Sequence, residues 1–104
     1  MSDFVKVGKK DLFKDQSLTA VDVDGDHVCV ARAGETFYAF DDNCTHAHVM
    51  LSRGELEGNE VVCPLHGARF DVKTGEALTP PAVKPVRTHE VKIQGDDVLI
   101  KLSA

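Results

Sequence analysis

Basic residues are in deficit in this chain: 12 Lys and Arg stand against 17 Asp and Glu, for a net charge of −5. Nucleic acids and anionic membrane surfaces recruit basic patches, so neither is expected as a partner, while a positively charged protein is permitted. The opening stretch MSDFVKVGKK holds no apolar run long enough for a signal peptide or a membrane span, and the expected location is the cytoplasm. The 104 residues give room for one domain but little for a second, catalytic one. A chain of that size buries roughly 60–70% of the surface its unfolded form exposes, so a real core is possible. No arrangement of nucleophile and base stands out. Cysteines number three, an odd count that fits poorly with a disulfide framework. In a reducing compartment, cysteines paired with histidines more often mean metal.

Helical periodicity is also missing. No stretch keeps the three-to-four spacing of apolar residues for three turns, and KKDLFKDQS reads as one helical turn or a loop. What recurs instead are short β-branched and aromatic runs broken by Gly, Asp and Asn. Residues 27–33 (HVCVARA) and 36–40 (TFYAF) read as two strands joined at Gly34, with Val28, Val30 and Arg32 on one face and Cys29 and Ala31 on the other. Residues 91–102 read as a hairpin turning at Gly95, Asp96 and Asp97. ELEGNEVVC repeats the device, with Gly58-Asn59 between 55–57 and 60–63, and FDVKTGEAL turns at Thr74-Gly75. Asp22, Asp24, Gly25 and Asp26 resemble a calcium loop only faintly, and a solvated hairpin turn is favoured. Turns at about ten-residue intervals predict an all-β sandwich or barrel-like fold. Pro80, Pro81 and Pro85 mark a break, since proline belongs in loops and at sheet edges. The predicted plan is one domain over 1–104, with a β base of about 1–42 and 82–104 that sends out an excursion of about 43–81.

That excursion gathers the soft ligands. Cys44-Thr45-His46 is one Cys–His pair and Cys63-Pro64-Leu65-His66 is another, with sixteen residues between His46 and Cys63. A hairpin of that length returns the chain to its start, so two tips would each offer a thiolate and an imidazole. Such a set suits Zn²⁺ or an iron–sulfur cluster. A ββα zinc finger keeps its cysteines together and its histidines together on a helix. Here each loop carries one of each, and neither reads as helix. The alternation suits a two-metal cluster, and a structural Cys₂His₂ zinc site remains the alternative.

With the flanks LSRGELEG and GARFDVKTGEAL, the two pairs resemble the Rieske [2Fe–2S] signature. The chain is similar, essentially end to end, to the small Rieske ferredoxins of bacterial aromatic-ring-hydroxylating dioxygenase systems. The resemblance implies a Rieske fold: an antiparallel β-sandwich or barrel-like base with an inserted cluster-binding subdomain. It implies one [2Fe–2S] cluster, with Cys44 and Cys63 on an inner iron and His46 and His66 on an outer iron near the surface. A proline-bearing loop around Pro80-Pro81 would cover another side. The implied activity is one-electron transport rather than catalysis. Electrons would come from an NAD(P)H-dependent flavoprotein ferredoxin reductase and pass to a terminal oxygenase, with the carrier a monomer. The alternative within the family is a small subunit of a nitrite reductase or a similar complex, which would co-purify with a large subunit.

Other residues carry plainer readings. His48 is a surface histidine beside a ligand, Cys29 a buried strand residue, and His27 and His89 strand-edge or turn residues. Phe37, Tyr38 and Phe40 belong to the core and strand faces, and the acidic GELEGNE to a solvated face. High-potential respiratory members of the family carry loop-stapling cysteines, where this chain has Ala47 or His48 and Leu65. They also carry a Ser and a Tyr whose hydroxyls donate to sulfur, where this chain has Ala68 and Phe70. Fewer donors leave the reduced, more negative state less stabilised, which places the potential toward the low end of the Rieske range of about −150 to +300 mV. Phe70→Tyr or Ala68→Ser is therefore expected to raise the midpoint potential measured by voltammetry. A variant whose new hydroxyl bonds sulfur in a crystal structure, yet whose potential does not move, would contradict this account.

Overall fold

The computed structural model describes residues 4–43, 49–64, 67–79 and 84–103. Among the described residues nine strands form two antiparallel sheets. In chain order they are β1 (Val5–Lys9), β2 (Ser17–Val23), β3 (Asp26–Ala33), β4 (Thr36–Asp41), β5 (Glu55–Glu57), β6 (Glu60–Val62), β7 (Arg69–Asp71), β8 (Thr88–Gln94) and β9 (Asp97–Lys101). The larger sheet has the order β1-β9-β8-β4-β3-β2. Its edge strands β1 and β2 lie close to each other, so the sheet nearly closes into a barrel. The smaller sheet, β5-β6-β7, comes from the chain between β4 and β8. Among the described residues no helix is long and apolar enough to cross a membrane.

The turns follow from their residues. Asp24 and Gly25, both at positive φ, join β2 to β3 with Val23 opposite Asp26, the geometry a two-residue hairpin needs. This is the solvated hairpin that the alternating aspartates predict. Gly34-Glu35 joins β3 to β4, Gly58-Asn59 joins β5 to β6, and Gly95-Asp96 joins β8 to β9. Asp97, expected in the last turn, pairs with Gln94 as the first residue of β9. The predicted strand 60–63 stops at Val62, because Cys63 opens a turn.

The turn at Thr74-Gly75 is present, but its returning arm makes only one bridge, Phe70 to Ala77. The Asp71 carboxylate accepts the N–H groups of Lys73 and Thr74, and the Gly75 N–H reaches the Asp71 carbonyl at 2.7 Å. The chain is thereby curled too tightly to extend the ladder. KKDLFKDQS forms a short 3₁₀ turn over Lys10–Leu12. It is held by Arg32, whose guanidinium donates to the carbonyls of Lys10 and Phe13 and lies 5.1 Å from the Phe37 ring.

Two apolar clusters share the wall made by β3 and β4. Val28, Val30, Phe37 and Ala39 face the barrel interior with Phe13, Val23, Val98 and Ile100. Cys29, Ala31 and Phe40 face the other way and pack with Leu51, Leu56, Val61, Cys63, Ala68, Phe70, Val72 and Val86. The period-two alternation expected for 27–33 is therefore real, although both of its faces are buried.

Close backbone approach joins the smaller sheet to the turn before it. A Cβ on Gly54 would overlap the Val62 carbonyl oxygen, whereas one on Gly58 would meet nothing within 4 Å. Gly58 has φ +61°, so alanine there bears only the left-handed backbone cost of about 1–2 kcal/mol. Gly54→Ala is expected to destabilise more than Gly58→Ala, because a backbone carbonyl must move. Denaturant unfolding of the two variants side by side checks the order.

Candidate metal centre

Two stretches of chain carry the predicted ligands, one after β4 and one between β6 and β7. The first leaves the barrel at Asp41. Asp42, only 4% exposed, donates its N–H to the His27 carbonyl at 3.0 Å. Its carboxylate then accepts from Ser52 twice: from the N–H at 2.6 Å and from the hydroxyl at 2.7 Å. Ser52 lies in the 3₁₀ turn Leu51–Arg53, whose Leu51 is fully buried. One carboxylate thus ties Asp42 to Ser52, ten positions apart in the chain.

The second segment leaves β6 at Cys63 and returns at β7. The Cys63 N–H donates to the Ala68 carbonyl at 2.7 Å, and Gly67 sits at φ +69°. Beyond it, Arg69 anchors the chain. Its N–H donates to Thr79 Oγ1 at 2.9 Å, and its guanidinium reaches Glu57 at 2.9 Å and Glu60 at 3.3 Å. Cys63 itself is 1% exposed and free of any disulfide. Ala68 and Phe70 are fully buried in the same apolar cluster as Cys63.

Of the four sequence-predicted ligands, Cys63 is placed; Cys44, His46 and His66 lie outside the described residues. So do Ala47, His48, Leu65, Pro80 and Pro81. Among the described residues no three His, Cys, Asp or Glu side chains converge on a common metal position. The donor chemistry still suits a soft metal group. A buried thiol without a disulfide partner stands at the end of a strand, in a turn whose backbone bond fixes its direction. The other cysteine described, Cys29, is different. Burial pushes its thiol well above the usual range and the Asp42 carboxylate pushes it further, so it is an inert protonated side chain of β3.

Sequence reasoning passed over the residues that root these segments. Asp41 accepts from Arg87 at 3.2 Å and sits 2.8 Å from His89 Nε2. The Ser103 N–H, which can only donate, reaches His89 Nδ1 at 3.0 Å. His89 therefore carries its proton on Nε2 and gives it to Asp41. Contrary to a plain strand-edge reading, the His89 side chain is buried and bonded at both nitrogens. These partners lie 46 and 48 residues apart in the chain, and no spacing rule links them. An open notch of about 520 Å³ lies at this root, lined by Asp26, Asp41, Asp42, Met50 and Arg87 among others. Its wall carries more negative than positive charge.

Comparison with known proteins bears on the same segments. The description "Rieske [2Fe-2S] domain" matches residues 3–90. The chain is 45% identical over 83 residues to the ferredoxin component of the naphthalene 1,2-dioxygenase system of Pseudomonas aeruginosa, covering 80% of each chain. Its fold is similar to that of the ferredoxin of carbazole 1,9a-dioxygenase from Nocardioides aromaticivorans, with a TM-score of 0.94, 40% identity, and coverage of 98% of this chain and 100% of that one. It is also similar to a solved complex of reduced oxygenase and oxidized ferredoxin in carbazole 1,9a-dioxygenase, with a TM-score of 0.89, 31% identity, and coverage of 99% and 100%. These relatives are electron-transfer parts of multicomponent dioxygenases, distinct from the oxygenases that catalyse, and the cofactor implied is a [2Fe–2S] cluster. With the family match spanning most of its length, the chain belongs to the Rieske [2Fe–2S] domain family.

Proposed function

We propose that this protein is a one-electron carrier of an aromatic-ring-hydroxylating dioxygenase system. It takes electrons from an NAD(P)H-dependent flavoprotein reductase and delivers them to a terminal oxygenase in the cytoplasm. The observation that carries the reading is the 45% identity to a naphthalene dioxygenase ferredoxin component, which runs through both candidate ligand segments. The likeness to a ferredoxin solved together with its oxygenase supports the choice of acceptor. The negative notch at the root of the first segment favours a partner surface rich in Lys or Arg.

In this reading residues 1–104 form one domain, with 1–42 and 82–104 as a base and 43–81 as the cluster-binding excursion. Cys44, His46, Cys63 and His66 would hold the cluster, whose chemistry when bound is the uptake and release of a single electron. The residues around Cys63 do the rest of the work. Val61, Ala68 and Phe70 exclude water from one side of the thiol, and the Cys63 N–H is committed to Ala68. The thiolate of Cys63 would therefore face a dry, fixed surround. Electrons would leave through the imidazoles of His46 and His66.

Visible absorption and EPR of the dithionite-reduced protein test the ligand reading. A coloured protein with a [2Fe–2S] signal is expected. A colourless, EPR-silent protein carrying zinc would overturn it. Cys63→Ser or His66→Ala should lose or alter that signal while far-UV circular dichroism keeps its β character. Reconstitution with a flavoprotein ferredoxin reductase and a naphthalene-type oxygenase should give NAD(P)H-dependent turnover that requires this protein. Stable co-purification with one large subunit, in place of a free carrier, would favour a fixed-complex role instead.

A further inference from the structure

Ser103 follows β9, and its polar groups are taken up by three consecutive residues on the way into β8. Its N–H donates to His89 Nδ1 at 3.0 Å. Its hydroxyl donates to the Thr88 carbonyl, and its own carbonyl accepts from the Arg87 guanidinium at 3.2 Å. Leu102, beside it, packs against the barrel's interior cluster with Val98 and Ile100. Residues 102 and 103 are thus strapped to the barrel by one apolar side chain and three hydrogen bonds.

Of those three bonds, only the one to His89 involves a side chain whose charge changes near neutral pH. The His89 side chain is fully buried and both ring nitrogens are engaged: Nε2–H donates to Asp41 at 2.8 Å, and Nδ1 accepts from Ser103. That arrangement requires the neutral ring. Imidazolium carries a proton on each nitrogen, so its Nδ1–H would point at the Ser103 N–H, donor against donor. Its bond to Asp41 would remain, now as an ion pair, so the ring stays in place and the strap is the part that must yield.

Charged groups around the ring come from each neighbouring element. Asp41 ends β4 and Arg87 precedes β8; Arg87 also reaches Asp26 of β3 at 3.7 Å. Lys73, in the turn after β7, and Tyr38 of β4 line a cavity of about 220 Å³ that His89 also lines. Glu90 is exposed on the opposite face of β8, registered against Lys101 of β9.

We propose that His89 and Ser103 form a proton-operated strap, closed while the imidazole is neutral and released when it takes up a proton. Only the neutral ring accepts from Ser103, so the closed form is held at higher pH and lost as pH falls through the histidine's titration. Release withdraws Leu102 from the barrel interior and frees Arg87, which lines the notch at the root of the excursion, from one of its partners. None of these residues is a candidate cluster ligand, so failure of the strap and failure of the ligand reading are separate results.

Hydrogen exchange of the intact protein as purified, resolved to single amides by fragmentation mass spectrometry and corrected for intrinsic exchange, tests the strap. Between about pH 8 and about pH 5, the range in which histidine changes charge, protection of the Ser103 N–H is expected to fall about tenfold or more, while Val98 and Ile100 keep theirs. His89→Asn puts an amide oxygen near the position of Nδ1 and does not titrate, so its Ser103 protection is expected to be equal at both ends of the range. If H89N does not fold, H89Q takes its place: its amide reaches toward Asp41 and leaves the Ser103 N–H without an acceptor, so the strap is expected to be open at both ends. Wild-type Ser103 protection that holds at acid pH overturns the proposal. So does a loss shared by Val98 and Ile100, which is unfolding of the barrel, and so does a pH-dependent loss that persists in the His89 variant.

Discussion

Everything in the molecule leans on a wall of two strands, β3 and β4, that is buried from both sides. Inside the barrel, Val28, Val30, Phe37 and Ala39 meet the side chains of β9 and Phe13. Outside it, Cys29, Ala31 and Phe40 meet the smaller sheet and its flanking turns. Strands of three residues, as in β5, β6 and β7, have too few ladder bonds and too little area to persist alone. They exist because Leu56, Val61, Phe70 and Val72 are pressed on that outer face. Each such side chain contributes about 1.5–3 kcal/mol by burial, an upper estimate against a real unfolded chain. A polar residue at Ala31 or Phe40 would cost the smaller sheet its support before it troubled the barrel.

The excursion needs a second constraint, at its root. Asp41 and the segment 86–89 mark where the chain leaves and re-enters the larger sheet, and the Asp41 N–H bonds the Arg87 carbonyl at 2.8 Å. The Arg87 guanidinium is 40% exposed, so its pairing with Asp41 adds little. The buried bond from His89 to Asp41 matters more, because a lost partner would leave a polar group stranded out of water. Through Ser103, the same imidazole ties down the end of the chain beyond β9. The root is thus held by hydrogen bonds where the wall is held by apolar contact, and the two do not compete for the same residues.

Much of this was legible from sequence, and the division has a physical cause. Alternation in 27–33, the Gly-Asn and Gly-Asp turns, and the absence of helical spacing all express local rules of backbone geometry. They correctly yielded an all-β fold with a barrel-like larger sheet. The abortive third hairpin was not legible, because Asp71 competes for the backbone of the turn through its side chain. The two-sided burial of β3 was not legible either, since an alternating strand does not announce that its second face will be covered. At the site, Cys63 stood out through its Cys–His spacing. Asp42, Ser52 and His89 did not, because their roles are contacts across ten to forty-eight residues between types that are common on surfaces.

The side chains around Cys63 bear on how readily a centre held there would keep an electron. A carrier must release its electron as readily as it accepts it, so the reduced state must not be overstabilised. Donors aimed at sulfur would stabilise it, and Ala68 and Phe70, both sealed from solvent, offer none from their side chains.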